Sequence, residues 1–464
     1  MHYLTRNPVE TMGQQNTMHR VATSRLSRRA IASIPAVLVT LVLGASSTLS
    51  KLPCTGVPQN LDAWSTEELR RFGAQLCYSD LTALWRYREL WDHALPYVGS
   101  LTDDRQLTGG VIEYPALSGL FLWLTALPVS SDRGFILATG ALLTLLAAAV
   151  TFILFVLVGR RAYFWAAAPA LVLYVAYNVD VLPVFFATLG IALGVASRRR
   201  NVTLVALASV AFGIGGAAKL YPLLFVLPLA LWYAWPGEDR GGASRFSPWR
   251  FVWPFLMSGV VVILINLPFV LFATDGWKAS FAFQSLRELD NNTMAIWWWV
   301  PHLLGVDLVD KTKELTVIAA IATAAGLLAV TVAAIIRARR EGEFPWIPLA
   351  GSMLAAFMVL NKVNSPQYLL WLLPFFALLT VKTLPVILYF VADVAIMAGV
   401  FRTFVLVVDG ASTDGPAALL AAGILARAAL LFYFAAGFLR SDFAGRPSTA
   451  VRPSSANLIT VEAR

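Results

Sequence analysis

Residues 31–49 read IASIPAVLVTLVLGASSTL and carry no charged side chain. A helix needs about 20 apolar residues to cross the hydrocarbon core of a bilayer. Arg25, Arg28 and Arg29 precede this run, and basic residues mark the cytoplasmic end of a membrane helix. We therefore predict a first transmembrane helix here, with residues 1–30 as a cytoplasmic N-terminal segment. A cleaved signal peptide is the alternative, which we disfavour because its apolar region spans only about 7–15 residues.

Similar apolar runs recur along the whole chain. Of its 464 residues, 58% are hydrophobic and 14% are charged, whereas soluble proteins have about 45–50% apolar and roughly 25% charged residues. The mean hydropathy is +0.68. These values exclude a water-soluble enzyme and predict an all-α, polytopic membrane protein. The net charge of +9 comes from basic residues at the ends of apolar runs, so we predict membrane lipids and no nucleic acid as partners.

The apolar runs predict about twelve transmembrane helices in a membrane domain of residues 31–440. After the first, the runs are 135–158, 163–177, 181–196, 202–217, 221–235, 251–272, 315–336, 346–360, 367–381, 384–408 and 417–438. If the runs alternate in direction, the basic clusters fall in the cytoplasm, as the positive-inside rule requires. These clusters are Arg160 and Arg161, Arg198 to Arg200, the linker with Arg240, Arg245 and Arg250, Arg337 to Arg340, Lys382, and Arg440. Both termini, including a tail at 441–464 that we expect to be disordered, then lie in the cytoplasm.

Two long segments are expected on the outer side, residues 50–134 and 273–314. The first contains an apolar stretch, 114–128, that is too short to span and predicts an interfacial or re-entrant helix. It also holds both cysteines, Cys54 and Cys77. An extracytoplasmic location permits a disulfide between them, and two free thiols are the other possibility.

Polar side chains collect at the outer ends of the predicted helices. Burying such groups at the membrane edge is costly unless they have a partner or a function. Lysines at this depth suit a phosphate and a carboxylate suits a general base, although helix capping or snorkelling explains single residues equally well. The residues at these turns include Asp80, Glu113, Tyr114, Asn178, Asp180, Lys219, Tyr221, Lys362, Gln367 and Tyr368.

Two further patterns do not indicate a catalytic or metal site. Trp297, Trp298 and Trp299 are consecutive, which suits either an interfacial aromatic belt or a platform for a sugar or a prenyl chain. Asp103 and Asp104 stand beside an arginine in a Thr/Gly-rich loop, which favours a solvated turn over a metal site. The four histidines are scattered along the sequence, so we predict no metal and no cofactor.

Several short motifs, taken in order, resemble those of glycosyltransferase family 87. They are Ser79-Asp80-Leu81, Pro96-Tyr97, Glu113-Tyr114-Pro115, Lys219-Leu220-Tyr221-Pro222 and Ser365-Pro366-Gln367-Tyr368. The resemblance covers about residues 75–380 and implies a GT-C fold similar to that of the polyprenyl-phosphate-mannose-dependent mannosyltransferases of actinobacteria. Ala116 stands where the family often has a second proline, and the two cysteines are not part of its motif, which suggests an outlying branch.

The resemblance implies an enzyme of the plasma membrane with an extracytoplasmic active site. Such an enzyme takes a sugar, with mannose favoured, from a polyprenyl-phosphate donor and passes it to a hydroxyl of a glycolipid or a cell-envelope glycan. Asp80 matches the catalytic base of the family, Glu113 its acidic Glu-Tyr-Pro residue, and Lys219 its turn lysine.

Physical reasoning adds the remaining predicted roles. Positive groups must stabilise the departing phosphate, for which we expect Lys219 and Lys362, assisted by Arg86 or Arg88. A single base fits a single displacement that inverts the anomeric centre. A transporter or lipid flippase is the alternative, but it should carry more mid-span charges than Asp393, Arg402 and Arg427 and should show internal repeats. An inactive scaffold of the same fold is also open.

Overall fold

A computed structural model describes residues 8–56, 64–197, 201–236, 245–308 and 310–445, with side chains from residue 28 onward. The described chain is predominantly helical. The α-helices are α1 Pro8–Lys51, α2 Thr66–Gln75, α3 Asp80–Tyr87, α4 Ala116–Ala126, α5 Asp132–Val158, α6 Tyr163–Ala166, α7 Pro169–Tyr174, α8 Val181–Ala196, α9 Val202–Ala218, α10 Val226–Ala234, α11 Pro248–Phe272, α12 Thr274–Leu286, α13 Ile296–Leu303, α14 Thr312–Glu341, α15 Trp346–Leu360, α16 Leu369–Leu378, α17 Thr383–Val408 and α18 Asp414–Phe438.

Two short strands accompany the helices of this mostly helical fold. β1 (Ser100–Leu101) and β2 (Leu107–Thr108) pair antiparallel, with Ser100 opposite Thr108 and Leu101 opposite Leu107. The residues between them close the hairpin and include Asp103 and Asp104, which are exposed. The acidic pair therefore lies in a solvated turn, as predicted.

Six helical segments within the described residues are long and apolar enough to cross a membrane: Arg28–Cys54, Asp132–Ala166, Pro248–Phe272, Thr312–Glu341, Thr383–Val408 and Asp414–Phe438. Shorter apolar helices accompany them: Ala116–Ala126, Val181–Ala196, Val202–Ala218, Tyr221–Ala234, Trp346–Leu360 and Pro366–Leu378. These lengths and compositions agree with a membrane protein, while the count of about twelve crossings stays a prediction.

Several predicted segment boundaries differ from the structure. α1 begins at Pro8, so the helix extends well before residue 31. The predicted run 163–177 is two short helices, α6 and α7, separated at Ala168, because the proline that follows disfavours helical backbone at the preceding residue. The short helix predicted within 114–128 is confirmed as α4.

Close packing of α1 against α5 illustrates how the bundle holds together. Thr40 and Thr151 share a hydrogen bond of 2.6 Å between the two helices. A Cβ atom at Gly44 would come within 2.7 Å of the Thr144 side chain. Small residues at such positions let helix backbones approach, which is the usual basis of helix association in membranes.

Three arginines from the predicted cytoplasmic clusters meet helix C-termini at one end of the bundle. Arg29 donates to the carbonyl of Val156 near the end of α5, and Arg161 donates to carbonyls at the end of α16. Arg337 donates to the carbonyls of Leu439 and Ser441 after α18. Cationic side chains at these positions satisfy carbonyls that lack a partner within the helix.

Residues 441–445 follow α18 and make backbone contacts, whereas we expected the tail to be disordered from residue 441. Phe443 forms an antiparallel bridge with Leu379, and the amide of Thr380 donates to the carbonyl of Asp442. Residues 446–464 lie outside the described residues, as do Arg198 to Arg200 and Arg240.

Two of the three mid-span charges form a buried ion pair. Arg427 lies 3.4 Å from Asp393, and both side chains are 1% exposed. Tyr174 donates a hydrogen bond of 2.5 Å to the same carboxylate, and Arg427 donates to the carbonyl of Asn364. Arg402, by contrast, is exposed. The pair therefore joins α17 and α18 to α7 and to the turn that follows α15.

Candidate active site

A cavity of about 770 Å³ is lined by residues of α3, α12, α15, α16 and α17 and by the turns before α4 and after α9, at the end of the bundle opposite to Arg161. Most of the site residues predicted from sequence line this cavity: Asp80, Arg88, Glu113, Tyr114, Lys219, Tyr221, Lys362, Gln367 and Tyr368. Residues far apart in sequence thus converge on one cavity. Asn178 and Asp180 lie behind the lining residues and contact them directly. Arg86 does not line the cavity.

Asp80 is fixed by its position at the start of α3. The backbone amide of Asp80 donates to the carbonyl of Tyr177 at 2.9 Å. The hydroxyl of Ser79, the N-cap residue, donates to the carbonyls of Ala176 and Tyr177 and accepts from the amide of Leu81. A serine N-cap satisfies an amide that has no partner within the helix, and here it also ties α3 to the segment after α7.

The carboxylate of Asp80 is held by neutral donors. Asn178 Nδ2 lies 2.7 Å from Asp80 Oδ2, and Gln367 Nε2 lies 3.5 Å from the same oxygen. Burial raises the pKa of Asp80 to about 6, while hydrogen bonds from Asn178 and Tyr78 and the charge of Lys219 oppose this rise. A carboxylate with such a pKa is well suited to accept a proton near neutral pH.

Asn178 joins two walls of the cavity. Its Nδ2 also lies 2.7 Å from the hydroxyl of Tyr114, and its Oδ1 accepts from the amide of Val179. Tyr114 is anchored in turn, because its carbonyl accepts hydrogen bonds from the hydroxyls of Tyr97 and Ser280. The side-chain amide of Asn178 therefore links Asp80 to the segment before α4.

Lys219 forms a salt bridge beneath the cavity surface. Its Nζ lies 2.6 Å from Asp180 Oδ1, and the Asp180 side chain is fully buried. The indole of Trp371 donates to the same oxygen at 2.7 Å. Lys219 also lies 5.0 Å from the centre of the Tyr114 ring. The lysine is therefore compensated by a carboxylate and held between aromatic rings.

An aromatic stack forms the adjacent wall. Trp371 lies between Tyr221 and Tyr368, with ring centres 4.2 Å and 3.7 Å apart respectively. Trp371 was not predicted as a site residue because it lies within an apolar run, although its place four residues after Gln367 puts both on one helical face.

Arg86 and Arg88 have different surroundings. Arg88 lines the cavity and lies 2.6 Å from Glu113. Arg86 instead forms a salt bridge of 2.7 Å with Glu68, with both side chains nearly inaccessible, and packs over the Trp64 ring. The expectation that Arg86 assists at the phosphate is therefore wrong. Two residues along α3 rotate a side chain by about 200°, which directs Arg86 away from the cavity.

The second predicted outer segment supplies the remaining wall. Lys362 Nζ donates to the carbonyls of Arg287 at 3.1 Å and Gln284 at 3.3 Å. Arg287 also lines the cavity; the sequence showed it among the polar residues of this segment but did not single it out. The tryptophan run does not appear among the described residues lining the cavity. Trp297 donates to the carbonyl of Leu360, and Trp299 packs on α17 and α18.

A sequence model of the family described as Mannosyltransferase (PIG-M) matches residues 178–411. The matched region covers half of the chain and contains Asn178, Asp180, Lys219 and Lys362. The chain belongs to the PIG-M mannosyltransferase family. A search of curated proteins finds no match.

In this PIG-M mannosyltransferase, residues that precede the matched region also contribute to the cavity. Asp80, Arg88 and Glu113 precede the matched region, yet they share one cavity with Lys219 and Lys362. Within the described residues, no three His, Cys, Asp or Glu side chains are grouped as a metal site. The described residues that line the cavity supply two carboxylates, several cations and an aromatic wall.

The two cysteines of this mannosyltransferase form a disulfide near the cavity. Cys54 and Cys77 are bonded, with Cα atoms 5.6 Å apart. The bond connects the end of the first helical segment to the residues immediately before Asp80. Of the two possibilities that the sequence left open, a disulfide or two free thiols, the structure has the disulfide.

Proposed function

We propose that this membrane mannosyltransferase moves mannose from a polyprenyl-phosphate donor to an extracytoplasmic hydroxyl of a glycolipid or cell-envelope glycan, with inversion. The main support is that one of the two carboxylates lining the cavity lacks a cationic partner among the described residues. Asp80 and Glu113 are the carboxylates among the described residues that line the cavity, and Glu113 is paired with Arg88. Within the described ranges, Asp80 forms no salt bridge, and its hydrogen-bond donors are neutral groups. It is thus the carboxylate left available for a proton.

The proposed reaction is a single displacement. The acceptor oxygen attacks the anomeric carbon as the bond between that carbon and the phosphate oxygen breaks. The acceptor proton passes to Asp80, and the bonding electrons leave with the polyprenyl phosphate. One base is sufficient for this step, whereas a retaining mechanism needs a nucleophile as well.

Other cavity residues have supporting roles in this proposal. Tyr114, Asn178 and Gln367 orient the base, because each is connected to Asp80 directly or through Asn178. The Arg88 and Glu113 pair binds hydroxyls of a sugar. Lys219 contributes positive charge beside the base, held in place by Asp180. Tyr221 and Tyr368 hold the stack around Trp371.

The lipid nature of the donor is supported by the cavity lining. Leu220, Phe281 and Leu286 line the cavity and are also exposed at the protein surface. Apolar side chains at the mouth of a polar cavity suit a substrate with a charged head and an apolar chain. The motifs shared with glycosyltransferase family 87 support the same donor class.

We propose that the active site faces the extracytoplasmic side of the plasma membrane, because the two ends of the helical bundle differ in character. The Cys54–Cys77 disulfide lies at the end that carries Asp80, and disulfides persist in oxidising compartments. Arg29, Arg161 and Arg337 cluster at the other end, where the positive-inside rule expects the cytoplasm.

Transfer by purified protein tests the proposal. Wild-type, Asp80→Asn and Asp80→Glu proteins are incubated with polyprenyl-phosphate mannose and an envelope glycolipid extract, and labelled product is counted. We expect Asp80→Asn to lose about 10²- to 10⁴-fold in kcat, since that is the usual contribution of a general base, with the thermal unfolding temperature retained. Asp80→Glu keeps partial activity. Full activity in Asp80→Asn would remove Asp80 from the mechanism, and a wild-type protein without transfer from any polyprenyl donor would refute the proposed function.

A further inference from the structure

Arg287 differs from three of the other four described cations that line the cavity. Arg88 is paired with Glu113, Lys219 with Asp180, and Arg105 lies 3.6 Å from Glu288. Within the described part of the chain, the Arg287 side chain has no such carboxylate partner, although it is only half-buried beside the cavity. An uncompensated guanidinium lining a cavity favours an anionic ligand.

Lys362 brings a second cation to the same place. Its ammonium donates to the carbonyls of Gln284 and Arg287, at the C-terminal end of α12. The negative end of a helix attracts a cation, which fixes this lysine beside Arg287. Burial and the neighbouring Arg287 charge lower the pKa of Lys362. The two cations therefore repel each other, and an anion that contacts both relieves this repulsion.

Exposed apolar side chains flank these cations. Phe281 and Leu286 on α12 line the cavity and are 41% and 44% exposed. Leu286 directly precedes Arg287, so apolar and cationic groups are adjacent on one segment. This arrangement matches a molecule in which a phosphate is joined to an apolar chain.

We propose that Arg287 and Lys362 bind the phosphate of the lipid-linked donor, while its isoprenoid chain lies along Phe281 and Leu286. This inference rests on the proposed function. It assigns the phosphate to Arg287 and Lys362 rather than to Lys219, because Lys219 is already paired with Asp180. The planar guanidinium of Arg287 provides two parallel donors to phosphate oxygens. The leaving phosphate is therefore stabilised at the second outer segment.

Direct binding to the full-length protein tests this inference independently of turnover. Undecaprenyl phosphate is titrated into detergent-solubilised wild type, Arg287→Met, Arg287→Lys and Lys278→Met. Lys278 is the matched control, since it is an exposed cation on α12 that does not line the cavity. We expect at least tenfold weaker binding for Arg287→Met, partial recovery for Arg287→Lys and wild-type affinity for Lys278→Met. Thermal unfolding checks that each variant is folded.

Competitors identify the recognised chemistry. Undecaprenol, which lacks the phosphate, and inorganic phosphate, which lacks the chain, are expected to compete at least tenfold less well than undecaprenyl phosphate. If inorganic phosphate competes equally, the chain contact is wrong. If Arg287→Met binds undecaprenyl phosphate as wild type does, the phosphate assignment is overturned.

Transfer kinetics separate this inference from the proposed function. Wild-type transfer combined with an unchanged donor KM in Arg287→Met contradicts the phosphate site and leaves the proposed function standing. A donor KM raised at least tenfold supports both. If the wild-type protein neither binds undecaprenyl phosphate nor transfers mannose, both the phosphate site and the proposed function are overturned.

Discussion

Asn178 Nδ2 lies 2.7 Å from Asp80 Oδ2 and joins two residues that are 98 positions apart in sequence. Asn178 belongs to the turn between α7 and α8, whereas Asp80 begins α3. The same amide reaches the hydroxyl of Tyr114. The contact therefore sets where the proposed base points, and it also favours the charged form of the carboxylate.

The first prediction concerns the pH dependence of transfer. Asp80 must be ionised to accept a proton, and its pKa is raised to about 6. We expect wild-type kcat/KM to fall as the pH drops below about 6. Asn178→Ala removes a hydrogen bond that stabilises the carboxylate, so it raises the pKa of Asp80 and moves this fall to higher pH. The measurement is kcat/KM from pH 5 to 9.

Asn201→Ala is a control for this pH experiment. Asn201 caps α9 at the other end of that helix from Lys219, and its loss is expected to leave the pH midpoint unchanged. Coincident pH profiles for wild type and Asn178→Ala would show that the amide does not tune the base.

The second prediction separates two arginines on one helix. Arg86→Met leaves Glu68 buried and unpaired, which costs about 3–5 kcal/mol of unfolding free energy, but should not alter KM in protein that remains folded. Arg88→Met frees Glu113 within the cavity and is expected to change KM or kcat with a smaller loss of stability. Thermal unfolding and transfer kinetics of both variants measure the two effects.

A paired substitution checks the origin of the Arg86 effect. Glu68→Gln combined with Arg86→Met removes both charges and should recover much of the lost stability. If Arg86→Met raises the donor KM as strongly as Arg88→Met does, the assignment of Arg86 to a structural pair is incorrect.

The site could be predicted from sequence where a chemical group sits at the end of an apolar run. Lys219 and Gln367 stand at such boundaries, whereas Asp80 lies within the first outer segment and was singled out by its Ser-Asp-Leu motif; alternation of the runs placed all three on one side. The structure brings all three to one cavity. Side-chain direction could not be predicted in the same way, because the pairing of Arg86 with Glu68 depends on how α2 packs against α3.

The sequence also could not predict which cations are paired with a carboxylate. Lys219 and Lys362 were equivalent as isolated lysines, but only Lys219 has a buried carboxylate beneath it. The proposed role of Arg287 rests on the lack of a carboxylate partner among the described residues. Which carboxylates lie near a side chain is decided by packing and cannot be read from the sequence. The break of run 163–177 at Pro169 was visible in principle, because proline limits the backbone of the residue before it.

The third prediction concerns the ion pair under the cavity. Lys219→Met leaves Asp180 fully buried with only the Trp371 indole as partner, and a broken buried pair costs about 3–5 kcal/mol. We expect a lower unfolding temperature and reduced transfer. Lys219→Met with Asp180→Asn should regain stability, since no buried charge remains. A double variant as unstable as the single one would contradict this explanation.

The fourth prediction concerns the Cys54–Cys77 disulfide, which closes a segment between residues 23 apart in sequence. Replacing both cysteines with serine is expected to lower the unfolding free energy by about 3 kcal/mol, because a cross-link of this length restricts the unfolded chain. Transfer should also fall, since Cys77 lies three residues before Asp80 and the bond restrains the approach to α3. Reducing agent should affect the wild type in the same direction and leave the serine variant unchanged. If the serine variant unfolds and transfers like the wild type, the bond has no part in positioning the proposed base.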